Sequence, residues 1–563
     1  MRALAILALI AACAPDARGP GVDVDRVMAH VDVLTGMGPR PGDSPTSRAA
    51  AAYIASQVPV EPMEVGEVDL PSIEVLGTVF RRAHRAHSSD PNLIARFGPP
   101  GKALLIMAHY DTVADSPGAI DNAAAVGVLI ELAKTFTAEP PRQPVMLVFT
   151  ANEETGLVGA EALAARRDEI EFAVALDLVG GTGDLVINGA STSIGDAELG
   201  WIADAADRAG VTLRAPLAHR VVSRWWPQAE RSDHGAFTRR GIRGVHFYHR
   251  GHDGEWIDRA YHSERDVASR VDRDAVAELA RLLRALTVKP VPPHDGDALW
   301  LPLAANTIVP RWLLIVFCIA CAGAACGLLA TTKRRRGDGK LKLLVAIACY
   351  ATAAILVIVL ERVIAGDHPA PWLHAPLRWL IGELAILAGL VGLASRLVAR
   401  FAPWGGERRY LAVAVIAPLA IGIAWLASGA AELAWIWLVP AVLAAASPRL
   451  GRFGILTIAW LALPVILVLG PHQVREAAWN GFLPPFVPFG VWITTLGFPS
   501  FAGVAWYLRA RERSGPLGTF VLPVGCLLAM ITGLALVVSA SPSCSAAKFH
   551  AFHLGCELDA GVR

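Results

Sequence analysis

From Trp312 to Ala540 the chain is built of long runs of Leu, Ala, Val, Ile and Gly separated by short loops. Few folds bury so much apolar sequence in water, so this half is read as membrane-crossing. Eight spans are delimited, at 312–331, 343–360, 377–395, 410–428, 433–446, 454–470, 486–508 and 517–540. Most approach the ~20 residues that a helix needs to cross hydrocarbon, and the fifth is short. Basic loops follow alternate spans: Lys333 to Arg336, Arg396 to Arg409, Arg449 with Arg452, and Arg509 to Arg513. The intervening loops (Gly366 to Pro376, Ser428 to Glu432, Pro471 to Pro485) hold few Lys or Arg. The positive-inside rule then puts the basic loops in the cytoplasm, and the first 300 residues and the 541–563 tail outside. The expectation is an α-helical transmembrane bundle of about eight helices, with the lipid bilayer as its partner. Glu361 and Arg362 end the second span, and Glu383 lies inside the third near Arg378. An intramembrane carboxylate is costly, and a structural pair with Arg378 is expected.

The overall apolar content of 54% and the formal charge of +1 average two unlike halves. No polybasic tract accompanies aromatics in the first 300 residues, so a nucleic-acid partner is set aside. Met1-Arg2 followed by Ala3 to Ala12 has the form of an export signal too short to span a bilayer. It ends Ile10-Ala11-Ala12-Cys13, which makes Cys13 a candidate lipid-bearing residue. Cys13 is the only cysteine in the first 300 residues, so no thiolate metal site is available there. Cys544 and Cys556 in the tail are able to pair as a disulfide if that tail is extracytoplasmic.

In the first half the periodicity alternates between strand and helix. Ala103 to Ala108, Val145 to Thr150 and Phe172 to Leu178 are short apolar runs of the buried-strand type. Ala123 to Phe136 and Val271 to Leu286 carry helical spacing. The predicted fold class is α/β, a three-layer sandwich around a mostly parallel sheet, over residues 25–290. Pro290 to Pro293 and His294 to Asp297 begin a linker, 291–311.

The chemistry-bearing residues fall just after these strands, where open α/β sheets place their sites. They are His109 and Asp111, then Asp121-Asn122, then Glu153-Glu154, with Asp177 and His262 downstream. An imidazole binds one ion, a carboxylate bridges two, and a Glu-Glu pair supplies a general base beside a ligand. Each part is weak alone. A His-x-Asp recurs by chance, and a Glu-Glu pair is usually a solvated helix start. Asp177 stands in an apolar strand, where a carboxylate needs a partner or a metal. His262 competes with His246, His249 and His252, and His234 is read as structural or pocket-lining. The ordered set is what points to a two-zinc hydrolase.

The segments AHYDTV (108–113), GAIDNAAAVGVLIELA (118–133), TANEETGLVGAEAL (150–163), ALDLVGG (175–181), SDHGAF (232–237) and YHSERD (261–266) together resemble peptidase family M28. GPRPGDSP (38–45) resembles the family's segment ahead of its first helix. The related M20 peptidases insert a second domain before the last histidine, and the 85 residues from Asp177 to His262 leave little room for one. The added multispan half resembles the membrane-bound branch of the family. The resemblance implies two Zn2+ ions, with His109 and Asp177 on one, Glu154 and His262 on the other, and Asp121 bridging them. It implies Glu153 as general base, Tyr261 as donor to the oxyanion, Asp111 as orienter of the His109 imidazole, and a cis peptide after Asp121. The implied activity is hydrolysis of exported peptides by a membrane-tethered aminopeptidase. Two alternatives stay open: a non-peptidase zinc enzyme on the same scaffold, such as a glutaminyl cyclase or amidohydrolase, and a ligand-binding module of a transporter. Specificity is expected from loops around Ala190 to Trp226, including Trp225-Trp226.

Overall fold

The computed structural model describes residues 21–75, 78–81, 83–188, 194–214, 232–249, 260–294, 309–332, 340–365, 372, 375–401, 407–450, 457, 460–468, 489–498, 522–540, 549–550 and 555–556. They fall into two compact units, one up to residue 294 and one from 309 onward. The signal segment with Cys13, residues 190–193 and 215–226 with Trp225-Trp226, His252 and the basic loop 333–336 lie outside the described residues.

The first unit is organised by an eight-stranded sheet. Its strands are β1 (Glu61–Met63), β2 (Asn92–Phe97), β3 (Ala103–His109), β4 (Val145–Thr150), β5 (Ile170–Leu176), β6 (Leu185–Asn188), β7 (Leu213–Arg214) and β8 (Gly244–His249), in the order β1-β2-β4-β3-β5-β8-β6-β7. The central strands β4, β3, β5 and β8 run parallel. β2 joins β4, β1 joins β2 and β6 joins β8 in antiparallel sense. The sheet is therefore mixed, with a parallel centre and antiparallel pairings toward both edges. Strand sense is set by how connections cross the sheet, and apolar periodicity carries no record of it.

Every residue of β3 and β4 is buried, because each strand has apolar packing on both faces. Leu104, Ile106 and Ala108 enter one core with residues of α1 (Val24–Gly36), α2 (Pro45–Gln57) and α3 (Ala124–Ala138). Ala103, Leu105 and Met107 enter another with α4 (Val158–Ala164). Helices α5 (Asp196–Ala209), α6 (His234–Thr238) and α7 (Arg273–Leu286) complete the unit. The α1 N-terminus is capped by Asp23 and that of α7 by Asp272, whose carboxylates accept the first free backbone N–H groups.

The second unit contains α8 (Arg311–Ala330), α9 (Lys340–Ala365), α10 (Pro376–Phe401), α11 (Glu407–Ala427), α12 (Ala431–Ala446), α13 (Leu463–Val468), α14 (Phe489–Phe498) and α15 (Leu522–Ala540). Among the described residues, three helical segments are long and apolar enough to cross a membrane: Arg311–Ala330, Ile347–Ile364 and Ala431–Arg449. The last is the span read as short from sequence. A 3-10 turn over Ser447–Arg449 continues α12 and lengthens it. Helices α10 and α15 approach at glycines. A Cβ on Gly382 would stand 2.8 Å from the Gly533 carbonyl oxygen, and one on Gly533 would stand 2.4 Å from that of Gly382. Small residues at such crossings let two backbones touch without side chains between them. Glu383 does not pair with Arg378, which is exposed. Its carboxyl group lies instead beside that of Glu361.

Candidate metal centre

Three adjacent parallel strands deliver the cluster. His109 is the last residue of β3, Asp177 follows β5, and Glu153-Glu154 stand just past β4. The turn into α3 supplies Asp121, and its Asp121–Asn122 peptide is cis. The Asn122 side-chain amide donates to the Leu176 carbonyl at 2.7 Å, tying this turn to the end of β5. His262 comes from the loop before α7 with φ +54°, a left-handed conformation that non-glycine residues adopt at a cost. Asn152 (φ +54°) and Leu157 (φ +65°) bracket the Glu153-Glu154 turn in the same region.

One carboxylate lies between two donor pairs. Asp121 Oδ1 is 3.2 Å from His109 Nε2, and Asp121 Oδ2 is 3.3 Å from His262 Nε2. Asp177 Oδ1 adds to the first side at 3.5 Å from His109 Nε2, and Glu154 Oε2 to the second at 3.0 Å from His262 Nε2. Ligand atoms of His109, Asp121 and Glu154 all lie within 4.8 Å of one another. All five residues named from the sequence as ligands are therefore brought together.

The electrostatics favour added positive charge. Burial lowers the His109 basicity, but Glu153, Asp111, Asp121 and Asp177 outweigh it and raise the imidazole pKa well above its ordinary value. His262 behaves alike, with Asp121 and Glu154 outweighing burial to push it up to about 10. Burial and the Asp121 charge push Glu154 up to about 7, opposed by both histidines. Burial also raises Glu153 well above the carboxylate range, aided by Asp177, Glu154 and Asp233. Glu154 Oε1 is buried with no hydrogen-bond partner among the described residues. Crowded carboxylates, imidazoles pulled toward the cationic form and an orphaned acceptor suit bound cations, and nitrogen with oxygen donors suits zinc.

A second layer of contacts holds this set. Nδ1 of His109 faces the Asp111 carbonyl oxygen at 3.1 Å and its carboxylate at 3.6 Å. A carbonyl only accepts, so Nδ1 carries a proton in either charge state, and Nε2 is the nitrogen that would turn to a cation in the cluster. The Asp111 carboxylate meanwhile accepts the backbone N–H groups of Glu153 and Glu154 at 3.0 and 3.1 Å. Asp111 thus orients the imidazole mainly through its backbone and the Glu153-Glu154 turn through its side chain. Tyr261 stacks on the His262 ring with centroids 3.7 Å apart, and burial together with the nearby carboxylates keeps its hydroxyl protonated.

Three residues without a role in the sequence reading belong here. Asp266, fully buried, accepts from the backbone N–H groups of Ile120 and Asp121. Arg40 is buried and donates to the carbonyls of Leu34, Tyr110, Pro117 and Gly118, clamping the segment before Asp121. Asp233 accepts from the Thr150 hydroxyl at 2.5 Å, and burial pushes it up to about 7. All three lie inside the quoted motifs, which was the available signal. His246 and His249 are structural in this geometry. His246 Nε2 donates to the Asp177 carbonyl at 3.3 Å and its ring stacks on His234, while His249 Nδ1 accepts from the Gly180 N–H at 3.1 Å.

The mixed α/β sheet and this ligand cluster together define a metallopeptidase-type domain. Residues 92–287 match the family model described as Peptidase family M28. Aminopeptidase YwaD of Bacillus subtilis (strain 168) is 26% identical over 201 residues, covering 33% of this chain and 41% of that protein. A vacuolar membrane protease of Candida glabrata is 34% identical over 100 residues, covering 17% and 10%. A probable zinc metalloprotease of Pyricularia oryzae is 31% identical over 163 residues, covering 25% and 32%. The chain spans less than half the length of these curated relatives. Among solved structures, an aminopeptidase from Aneurinibacillus sp. strain AM-1 aligns with TM-score 0.38 at 17% identity, over 49% of this chain and 97% of that one. A Bacillus subtilis zinc aminopeptidase aligns with TM-score 0.39 at 15% identity, over 48% and 95%.

Proposed function

We propose that this chain is a membrane-anchored di-zinc metallopeptidase, an aminopeptidase acting on exported or extracytoplasmic peptides. The observation that carries the reading is the Asp121 carboxylate, whose two oxygens each face a different imidazole, His109 and His262. His109 with Asp177 would hold one ion, Glu154 with His262 the other, and Asp121 both. Bound there, zinc supplies Lewis-acid polarisation of the scissile carbonyl and acidifies the attacking water. Glu153 takes the proton from that water and returns it to the leaving amine. Its raised proton affinity, set by burial and by neighbouring carboxylates, suits a group that must hold a proton between the two transfers. Tyr261 keeps its hydroxyl proton and donates a hydrogen bond toward the developing oxyanion. Asp111 fixes the turn that carries Glu153, so the base does not swing away from the ligands.

Three apolar helices and the similarity to vacuolar membrane proteases support the membrane attachment. The wider reading has residues 25–290 as the peptidase domain, with helices flanking both faces of its sheet. It has about eight crossings over 312–540, arranged multi-pass with the catalytic domain on the extracytoplasmic side, the periplasmic side of an inner membrane.

The test is a zinc titration of metal-free full-length protein against a panel of aminoacyl-anilides, with bound metal counted by elemental analysis. Two zinc ions per chain with hydrolysis of the anilides is the expected result. Asp121→Ala is expected to hold less zinc, because two neighbouring cations need the shared negative charge. Full metal loading without hydrolysis of any anilide would reject the peptidase reading, and unchanged zinc content in the variant would reject Asp121 as the bridge.

A further inference from the structure

The helical unit brings together two carboxyl groups that the peptidase chemistry does not use. Glu361 on α9 is 3% exposed and Glu383 on α10 is 1% exposed, and their carboxyl groups lie side by side against Gly490. Glu361 is clamped. Its Oε1 accepts the Phe489 N–H and its Oε2 the Gly490 N–H, both at 2.8 Å. Both donors are backbone N–H groups of α14. Gly490 permits the approach, since a Cβ there would stand 3.3 Å from both Glu361 Oε2 and Glu383 Oε2.

Glu383 has no such clamp. Neither of its oxygens receives a hydrogen bond from any other described group. The charged neighbours are few: Arg362 follows Glu361 on α9, Arg378 on α10 is exposed, and α14 and α15 contain no ionisable acid or base in their packed lengths apart from Cys526. The Trp372 ring stacks on Phe489 at 5.1 Å, and its indole N–H likewise lacks an acceptor among the described residues. Two adjacent carboxylates shielded from water repel one another, and each forfeits its hydration. With Glu361 already holding two N–H donors as a carboxylate, the missing positive charge belongs at Glu383.

We propose that Glu361 and Glu383 form a proton-binding pair in the helical unit. Glu383 carries the proton and donates it to Glu361, which the N–H groups of Phe489 and Gly490 hold as the carboxylate. The pair then bears a single negative charge, and release of its proton doubles that charge inside an apolar helix cluster. This proposal does not depend on the peptidase reading.

The test uses the full-length protein in detergent micelles with N,N′-dicyclohexylcarbodiimide, a probe that modifies protonated carboxyl groups in apolar surroundings, followed by peptide mass mapping. A Glu383 adduct is expected under conditions in which exposed carboxyl groups are ionised and unreactive, and raising the pH further is expected to diminish it. Glu383→Gln is expected to lose the adduct and retain the wild-type melting temperature, because its amide N–H replaces the carboxyl O–H as donor to Glu361. Glu361→Gln is expected to melt earlier, because its single amide oxygen serves two N–H groups that a carboxylate shared. Absence of a Glu383 adduct in folded wild type would overturn the proposal. So would labelling that ignores pH and is suppressed by sodium or potassium at constant pH, which would put a metal cation in the site. Both outcomes are read on the wild-type protein, so neither depends on how the variants fold.

Discussion

The carboxylate of Asp266 accepts a hydrogen bond from the backbone N–H of Asp121 at 3.0 Å, joining residues 145 positions apart. Its other oxygen takes the Ile120 N–H at 2.8 Å. One buried acid thereby sets the entry into the turn that presents the Asp121 carboxylate. Arg40 holds the same segment from the other side through Pro117 and Gly118. Groups that orient ligands usually matter nearly as much as the ligands themselves.

Asp266→Ala should therefore weaken metal binding by ~10–100-fold while leaving all five ligands in place. Asp266→Asn retains one acceptor oxygen and should recover part of that loss. Zinc affinity measured by competition with a chelator checks this, and a pair of variants with wild-type affinity would rule out the positioning role.

Glu153→Gln should keep its metal and lose hydrolysis by ~10²–10⁴-fold, the usual cost of removing a general base. The amide preserves shape, and the Glu153 backbone N–H still donates to Asp111. Turnover close to wild type at equal zinc content would show that another group moves the proton.

Stability should fall on acidification through the buried His30–Glu131 pair that joins α1 to α3. Buried Glu131 accepts from Lys134 Nζ at 2.8 Å and lies 3.0 Å from His30 Nε2, while His30 Nδ1 lies 2.6 Å from the Tyr53 hydroxyl. The neutral ring satisfies both contacts, with Nε2 donating to Glu131 and Nδ1 accepting from Tyr53. Burial lowers the His30 pKa below 6.5, and hydrogen bonds from Lys134 and His30 overcome burial to lower that of Glu131 below 4.5. Both groups bind fewer protons folded than unfolded, so their stabilisation is present above those ordinary values and lost as pH drops through the lowered ones. Glu131→Gln should cost about 1–3 kcal/mol near neutrality and flatten the acid limb of the melting curve. An acid limb as steep as wild type's in that variant would disprove the assignment.

Reporter fusions after Arg336, Arg409 and Arg513 should read as cytoplasmic, and those after Asp297 and at Arg563 as exterior, because alternate loops carry the Lys and Arg. A cytoplasmic signal at Asp297 would reverse the topology and with it the proposed pool of peptides.

What the sequence determined by itself was local or ordered along the chain. The apolar runs of β3, β4 and β5 identified buried strands, since period and composition report burial directly. That His109, Asp121, Glu154, Asp177 and His262 form one candidate set was suggested by their order along the chain, because open α/β sheets place their sites just past the strand ends. Tertiary structure alone decided the contacts with no local period. It set the antiparallel outer strands, the grip of Asp266 and Arg40 on the Asp121 turn, and the use of the Asp111 backbone for the imidazole and its side chain for the Glu153-Glu154 turn. It also put Glu383 beside Glu361 where sequence proximity suggested Arg378. The physical reason is the same in each case. Burial acts on every residue of a segment and leaves a pattern, whereas a single hydrogen bond or carboxyl pair between distant segments depends on how whole elements dock.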